Sequence, residues 1–293
     1  MQKIIPHLWF DKEAEKASKF YMSLFENVNL KDKTVLNDTP SGTAELYRVD
    51  LAGQEFMLLS AGPLFKFTPA VSFLIACSSA KEVEMLWEKL IEKGAALMPL
   101  EAYPFSDKYG WVIDKYGLSW QVMHSSDLEI KQKITPTLMF VGDQCGKAEE
   151  AIEFYTTIFE HSKVGDILRY GMDKTPNESN MIQHVEFTLE NQRFAAMDSG
   201  YNHDFTFNEA ISFVVNCDTQ EEIDYFWDKL SAVPEAEQCG WLKDKYGFSW
   251  QIVPTIMKDM MKDKNPTKLE QVTEAFLEMK KFDIAELIKA YER

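Results

Sequence analysis

The sequence is short of positive charge. Across 293 residues, Lys and Arg number 31 against 47 Asp and Glu, a net charge of −16. Phosphate-backbone recognition needs clustered Lys and Arg, so nucleic acid is not expected as a partner. Attraction to an anionic membrane surface is disfavoured for the same reason. No apolar run approaches the ~18 residues of a membrane span. The opening MQKIIPHLWF has neither a long apolar stretch nor a small-residue cleavage site, so no signal peptide is expected. Cysteine is scarce. Cys77, Cys145, Cys217 and Cys239 form no CxxC pair and no zinc spacing, which points to free thiols in a reducing cytoplasm. Glycine is scarce as well, with 13 residues and no GxGxG-like loop, so the strand–loop–helix turn that cradles nucleotide-type ligands is missing.

Hydrophobic residues make up 45% and charged residues 27%, ordinary values for a globular protein. At ~150 residues per domain the length suggests two domains, and an internal repeat says where they lie. Gly110 to Met123 (GWVIDKYGLSWQVM) and Gly240 to Val253 (GWLKDKYGFSWQIV) agree at nine of 14 positions, at an offset of 130. Ala70 to Leu90 matches Ala210 to Leu230 at an offset of 140. Ala14, Ala17, Phe20, Tyr21, Leu24 and Phe25 match Ala148, Ala151, Phe154, Tyr155, Ile158 and Phe159 at 134, and Pro6, Leu8 and Phe10 match Pro136, Leu138 and Phe140 at 130. The offsets change only between blocks, where insertions fall in loops. The expected organisation is a first domain over 1–128, a polar linker (DLEIKQK), a second domain over 132–255, and a tail over 256–293 without a counterpart in the first half.

Within a repeat the elements follow a pattern. IIPHLWF reads as a strand, with Pro6 suited to an edge or strand-entry position. Ala14, Ala17, Phe20, Tyr21, Leu24 and Phe25 form one apolar helical face. AELYRVDL and EFMLLS form a hairpin around Gly53. The pattern then restarts: VSFLIAC is a strand, and Ser79-x-x-Glu82 has the spacing of a capping box, repeated by Thr219-x-x-Glu222. Val83, Leu86, Trp87, Leu90 and Ile91 predict the buried stripe of that helix, with Gly94 as its left-handed stop. ALMPL, WVI and LSWQVM complete the module, the last two joined by an Asp114-Lys115-Tyr116-Gly117 turn. The fold class is therefore α+β: a tandem duplication of a domain made of paired βαβββ modules, whose sheets have one face toward helices and one lining a cavity. In the tail, Leu269, Val272, Phe276 and Met279 predict one helical stripe, and Phe282, Ile284, Leu287 and Ile288 a second. The tail is expected to pack over the domain junction, with a partner-binding role as the rival reading.

The strand motifs PHLWF and PTLMF, the helix motif ending FYxxxF and the closing D-x-Y-G hairpin followed by SWQ resemble the vicinal oxygen chelate superfamily (glyoxalase, bleomycin resistance and dioxygenase-like proteins). Within it, the chain resembles the PhnB-like branch, often labelled 3-demethylubiquinone-9 3-methyltransferase; the tail AFLEMKKFDIAELIKAY is similar to that branch too. The resemblance covers nearly the whole chain. It implies that His184 and Asp198 stand at positions where the branch often carries a His and an Asp, whereas the first repeat has Leu46 and Ser60 there. The label's methyl transfer finds no S-adenosylmethionine-type motif in the chain, so no such cofactor is expected.

Superfamily enzymes hold a divalent metal with four strand residues. By resemblance these positions fall at His7, Met57, Ser72 and Gln121 in the first repeat, and at Thr137, Ala195, Ser212 and Gln251 in the second. Hard cations want several imidazole or carboxylate ligands, so neither set is expected to bind metal. Strand alternation puts Ser119, Gln121 and Met123 on one face and Leu118, Trp120 and Val122 on the other. Trp120 and Trp250 are thereby assigned to the core, and Cys77 and Cys217 likewise. Repeat one has 20 positions between Leu90 and Gly110, where repeat two has 10 between Leu230 and Gly240. The longer stretch carries Tyr103, Pro104 and Phe105, an aromatic lid candidate. The expected ligand pocket is thus in the first domain: His7, Trp9, Met57, Ser72, Tyr103, Phe105, Ser119, Gln121 and Met123, with Thr137, Met139, Ser212, Ser249 and Gln251 as second-domain equivalents. Three functions are open. They are metal-free binding of a small molecule, as in antibiotic-sequestering relatives; an enzyme with an altered metal site using His7 and Gln121; and a structural duplication forming an intrachain pseudo-dimer in place of a homodimer, with further homodimerisation also open.

Overall fold

A computed structural model describes residues 2–39, 42–125, 130–172, 174–263 and 265–293. Residues 127–129 of the expected linker lie outside the described residues. Four modules follow one another. The first is β1 (Ile4–Phe10), α1 (Ala14–Met22), β2 (Asn29–Thr39), β3 (Gly42–Leu51) and β4 (Gln54–Ser60). The second is β5 (Val71–Cys77), α2 (Ala80–Ile91), β6 (Ala95–Tyr103), β7 (Ser106–Ile113) and β8 (Ser119–His124). The third is β9 (Ile134–Phe140), α3 (Ala148–Ile158), β10 (Lys163–Arg169), β11 (Ile182–Leu189) and β12 (Gln192–Asp198). The fourth is shorter: β13 (Ile211–Cys217), α4 (Gln220–Leu230), β14 (Trp241–Lys243) and β15 (Ser249–Pro254). A 3-10 turn at Pro234–Ala236 stands where the missing strand would be. The tail adds α5 (Ile256–Met260), α6 (Pro266–Leu277) and α7 (Ile284–Tyr291). Among the described residues no helix is long and apolar enough to cross a membrane.

The sequence repeats are not the compact units. Unit 1 comprises Met1–Met22, Asn27–Lys66 and Asn208–Arg293, and unit 2 comprises Ser23–Glu26 and Phe67–Phe207. Unit 1 holds a seven-stranded sheet in the order β14-β15-β13-β1-β4-β3-β2. Unit 2 holds an eight-stranded sheet, β10-β11-β12-β9-β5-β8-β7-β6. Each sheet thus takes one module from each repeat. The modules join through an antiparallel pair, β1 with β13 in unit 1 and β5 with β9 in unit 2. Within a full module the first strand runs parallel to the last, which is what a crossover through a helix and a hairpin requires.

Alternation sorts the two faces as the sequence implies. In unit 1, Leu8, Phe10, Phe213 and Trp250 are buried in the core. The Trp250 ring packs edge-on against Phe213 at 5.6 Å and Phe248 at 5.4 Å. In unit 2, Trp120 is fully buried, 5.5 Å from Phe73. Cys77 and Cys217 are buried at matching strand positions, and burial pushes both thiols up to about 12. Both capping boxes form, with Ser79 Oγ accepting from Glu82 N and Thr219 Oγ1 from Glu222 N, each at 3.2 Å.

The most alike stretch of the two repeats is a hairpin held by one carboxylate. Asp114 Oδ1 accepts the N–H of Tyr116 at 2.8 Å and of Leu118 at 3.1 Å, while Oδ2 accepts Trp120 Nε1–H at 3.0 Å. Asp244 does the same for Tyr246 (2.9 Å), Phe248 (3.0 Å) and Trp250 (2.8 Å). Gly117 and Gly247 turn the chain at φ +89° and +80°, a region side chains other than hydrogen rarely tolerate. Asp, Gly and Trp are all needed at this spacing, which accounts for their presence in both copies.

Two expectations are corrected. Gly94 does not take the left-handed stop of α2; Lys93 does, at φ 61°, and Gly94 is instead a close approach, since a Cβ there would lie 2.3 Å from Ile113 O. The Tyr103-Pro104-Phe105 stretch is not a long loop but the tip of the β6–β7 hairpin, where the Tyr103 and Phe105 rings stack at 5.6 Å. The tail packs on unit 1 and touches both repeats there, α6 meeting β2 and α5 meeting β15, while Cys239 N–H and Gly240 N–H donate to the carbonyls of Met279 and Lys280, each at 2.7 Å.

Candidate functional site

Unit 1 contains a cavity of about 380 Å³ on the sheet face opposite its helix-facing core. Its walls come from four places. Trp9 on β1, with Leu59 on β4 and Leu36 on β2, forms one side. Trp241 and Lys243 on β14 with Ser249 on β15 form the other. Phe65 follows β4, and Phe276 and Leu277 come from the end of α6. The short stretch after α4 contributes Ala236, Gln238 and Cys239. The segment that lacks a strand in the fourth module therefore frames this cavity, together with the tail.

The aromatic geometry is specific. Trp9 meets Phe65 edge-on at 5.1 Å and Trp241 at 6.3 Å. Trp9 Nε1–H donates to Gly62 O at 2.8 Å, which fixes its ring. Trp241 also meets the His7 ring edge-on at 5.4 Å. The lining cation, Lys243, is paired with Glu209 at 2.8 Å.

Strand register sets Met57, His7, Ser212 and Ser249 side by side on β4, β1, β13 and β15. Gln251 Nε2–H donates to Ser212 Oγ at 2.9 Å. His7 is buried, its Nδ1 has no hydrogen-bond partner, and burial pushes its pKa down to about 3, so the imidazole is neutral at pH 7. Ser249 Oγ is likewise buried and without a partner.

Unit 2 has the matching row of Ala195, Thr137, Ser72 and Ser119. Here the polar groups satisfy one another. Gln121 Nε2–H donates to Ser72 Oγ at 2.7 Å, Tyr109 O–H donates to Gln121 Oε1 at 2.8 Å, and Trp111 Nε1–H donates to Ser119 Oγ at 2.7 Å. Burial pushes the Tyr109 hydroxyl up, which keeps it a donor.

The sequence-expected residues are therefore regrouped. His7, Trp9, Met57, Ser212, Ser249 and Gln251 come together in unit 1, and of these Trp9 and Ser249 line the cavity. Ser72, Tyr103, Phe105, Ser119, Gln121, Met123, Thr137 and Met139 belong to unit 2. The expected grouping by repeat fails because each sheet is completed by a module of the other repeat. Of the tryptophans that the sequence leaves as candidates for the floor of an aromatic site, Trp9 and Trp241 line the cavity. Phe276 was legible only as a helix-stripe residue, with no signal for what it covers, and Leu277 lies off that stripe.

The metal implied by the superfamily resemblance does not fit these donors. His7 is the single nitrogen or carboxylate ligand in the unit 1 set, and Ala195 offers none in unit 2. Among the described residues no group of three or more His, Cys, Asp or Glu side chains is placed to hold a metal ion. Asp198 accepts the N–H groups of Gly146 (2.8 Å), Ala148 (3.2 Å) and Ile182 (2.9 Å), a structural role. In the first repeat Ser60 Oγ takes the equivalent N–H of Ala14 at 3.0 Å, so a hydroxyl replaces the carboxylate without leaving the helix start unpaired.

Comparison with known proteins adds the following. The sequence profile described as 3-demethylubiquinone-9 3-methyltransferase matches residues 2–123 and again residues 132–253. Among solved structures, a putative 3-demethylubiquinone-9 3-methyltransferase, PhnB protein, from Bacillus cereus is 38% identical over 42% of this chain and 100% of its own, with a TM-score of 0.40. Protein PA1353 from Pseudomonas aeruginosa is 22% identical over 43% of this chain and 100% of its own, with a TM-score of 0.37. Glyoxalase I from Zea mays is 13% identical over 87% of this chain and 93% of its own, with a TM-score of 0.57, a likeness of fold alone. No curated protein matches the chain.

Proposed function

The chain belongs to the family described as 3-demethylubiquinone-9 3-methyltransferase, and on that footing we propose that it binds a small, uncharged, largely apolar molecule in the cavity of unit 1. The observation that carries this reading is an apolar hollow of about 380 Å³ walled by Trp9, Phe65 and Trp241. That volume lies within the range of small-molecule sites, which are mostly apolar with few polar groups. The methyl donor in the family's description does not fit this chain. It has no glycine-rich turn, and the starts of α2 and α4 are taken by the side chains of Ser79 and Thr219. The four cysteines are free thiols, which suits the reducing cytoplasm.

The test uses N-phenyl-1-naphthylamine, a neutral probe whose emission rises in apolar surroundings. Saturable binding of one probe per chain is expected. Ala44→Phe, which fills the cavity from β3, abolishes it while the circular dichroism spectrum is retained. Absence of saturable binding to the native chain, or equal binding by a folded Ala44→Phe variant, overturns the reading.

A further inference from the structure

Among the described residues that line the unit 1 cavity, one buried polar atom is left without a partner by the protein itself. Ser249 is fully buried, lines the cavity and has no partner for its Oγ. Buried hydroxyls are nearly always hydrogen-bonded, so an unpaired one facing a hollow is informative. Unit 2 shows what closes the same position. Ser119, at the 130-residue offset, accepts from Trp111 Nε1 at 2.7 Å, and Gln121 accepts from Tyr109 at 2.8 Å. In unit 1 both donors are withdrawn. Cys239 stands where the other repeat has Tyr109, and Trp241 meets the His7 and Trp9 rings at steep angles and makes no hydrogen bond to Ser249. What unit 2 satisfies internally, unit 1 leaves open beside three aromatic rings.

The charges at the wall narrow the ligand further. Lys243 is engaged by Glu209 at 2.8 Å, and Glu235 adds a second carboxylate to the lining. An anionic ligand would find no unpaired cation there and would meet these carboxylates instead.

We propose that the cavity selects an uncharged aromatic molecule with one oxygen function, its ring among Trp9, Phe65 and Trp241 and its oxygen hydrogen-bonded to Ser249 Oγ. This rests on the binding reading above. Ser249 is then the specificity-determining residue: shape and ring contacts admit aromatic compounds in general, and the hydroxyl ranks them.

Calorimetric titration of the full chain with 2-naphthol, naphthalene and 2-naphthoate tests it, with Ser249→Ala as the variant. The native chain is expected to bind 2-naphthol about five- to tenfold tighter than naphthalene, the margin one neutral hydrogen bond supports, and 2-naphthoate more weakly than either. Ser249→Ala removes that margin by weakening 2-naphthol and leaves naphthalene unchanged, which also shows that the variant is folded. Equal affinity of the native chain for 2-naphthol and naphthalene overturns the proposal, and so does a Ser249→Ala variant that weakens both alike. If the naphthylamine probe binds and the three naphthalenes do not, the ligand class is wrong and the binding reading stands. If none binds, both fall.

Discussion

Asp244 offers the sharpest test of how the fold holds the site. Its carboxylate is fully buried and accepts three hydrogen bonds, from Tyr246 N, Phe248 N and Trp250 Nε1. Asp244→Ala leaves two backbone N–H groups and one indole N–H without an acceptor. Hydrogen bonds to a charged group contribute about 1.5–3 kcal/mol each. Removing the buried carboxylate also relieves its own desolvation, so the lower figure applies, and the loss is about 4 kcal/mol. Asp244→Asn keeps one oxygen for the two backbone groups but sets an amide N–H against the indole N–H. One bond is lost, at a cost of about 1.5–2 kcal/mol. Against a total stability of about 5–15 kcal/mol, the alanine variant is severe and the asparagine variant moderate. Urea unfolding combined with hydrogen exchange measures both the size and the place. Protection should fall first in β14 and β15, with β7 and β8 of unit 2 little changed. Asp114→Ala should do the converse. An alanine variant no worse than the asparagine variant, or a loss under about 1 kcal/mol, would show that the hairpin does not depend on this carboxylate and that its identity in both repeats has another cause.

His7 gives a pH signature. Burial depresses its pKa to about 3 from an ordinary value of 6.5. Below pH 6.5 the unfolded chain therefore gains a proton that the folded chain does not take up until about pH 3. Stability present above pH 6.5 is lost as pH falls through that window, with a slope approaching about 1.4 kcal/mol per pH unit. His7→Phe should remove this component, so native and variant chains that lose stability in parallel between pH 7 and 4 would refute it. Gly94→Ala should cost more than about 3 kcal/mol, because its Cβ would lie 2.3 Å from Ile113 O and 2.9 Å from Leu90 O. Gly53→Ala, with open space around it but φ +86°, should cost only about 1 kcal/mol; thermal melts of the two variants decide the order.

Much of the fold was legible because its signals are local. The repeat, the capping boxes, the parity of Trp120 and Trp250 and the D-x-Y-G turn each rest on spacing over a few residues. The strands β2 and β10 were not legible. NLKDKTVLNDT and KVGDILR lie at the edges of their sheets, where exposure on both faces erases the alternation that marks a strand. Partner choice was the larger omission. Nothing local in VSFLIAC or ISFVVNC says whether the strand pairs inside its own repeat or across it, since both sheet edges present the same unpaired N–H and C=O groups. That single non-local fact moved His7 away from Gln121 and beside Ser212.

The regrouping also explains how one duplicated chain can hold two unlike units. Because each sheet is completed by a module from the other repeat, the four modules supply two independent sets of floor residues. In unit 2 the floor is closed by Tyr109, Trp111 and Gln121, and β6 and β7 extend the sheet. In unit 1 the fourth module has a strand of three residues in place of that hairpin, and the tail brings Phe276 and Leu277 to the space beside it. Losing an edge strand leaves its neighbour's N–H groups unpaired, and here the tail carbonyls of Met279 and Lys280 accept from Cys239 and Gly240 while Phe276 and Leu277 line the hollow beside them. The ligand proposed above would give the Ser249 hydroxyl the kind of partner that Trp111 gives Ser119 in unit 2.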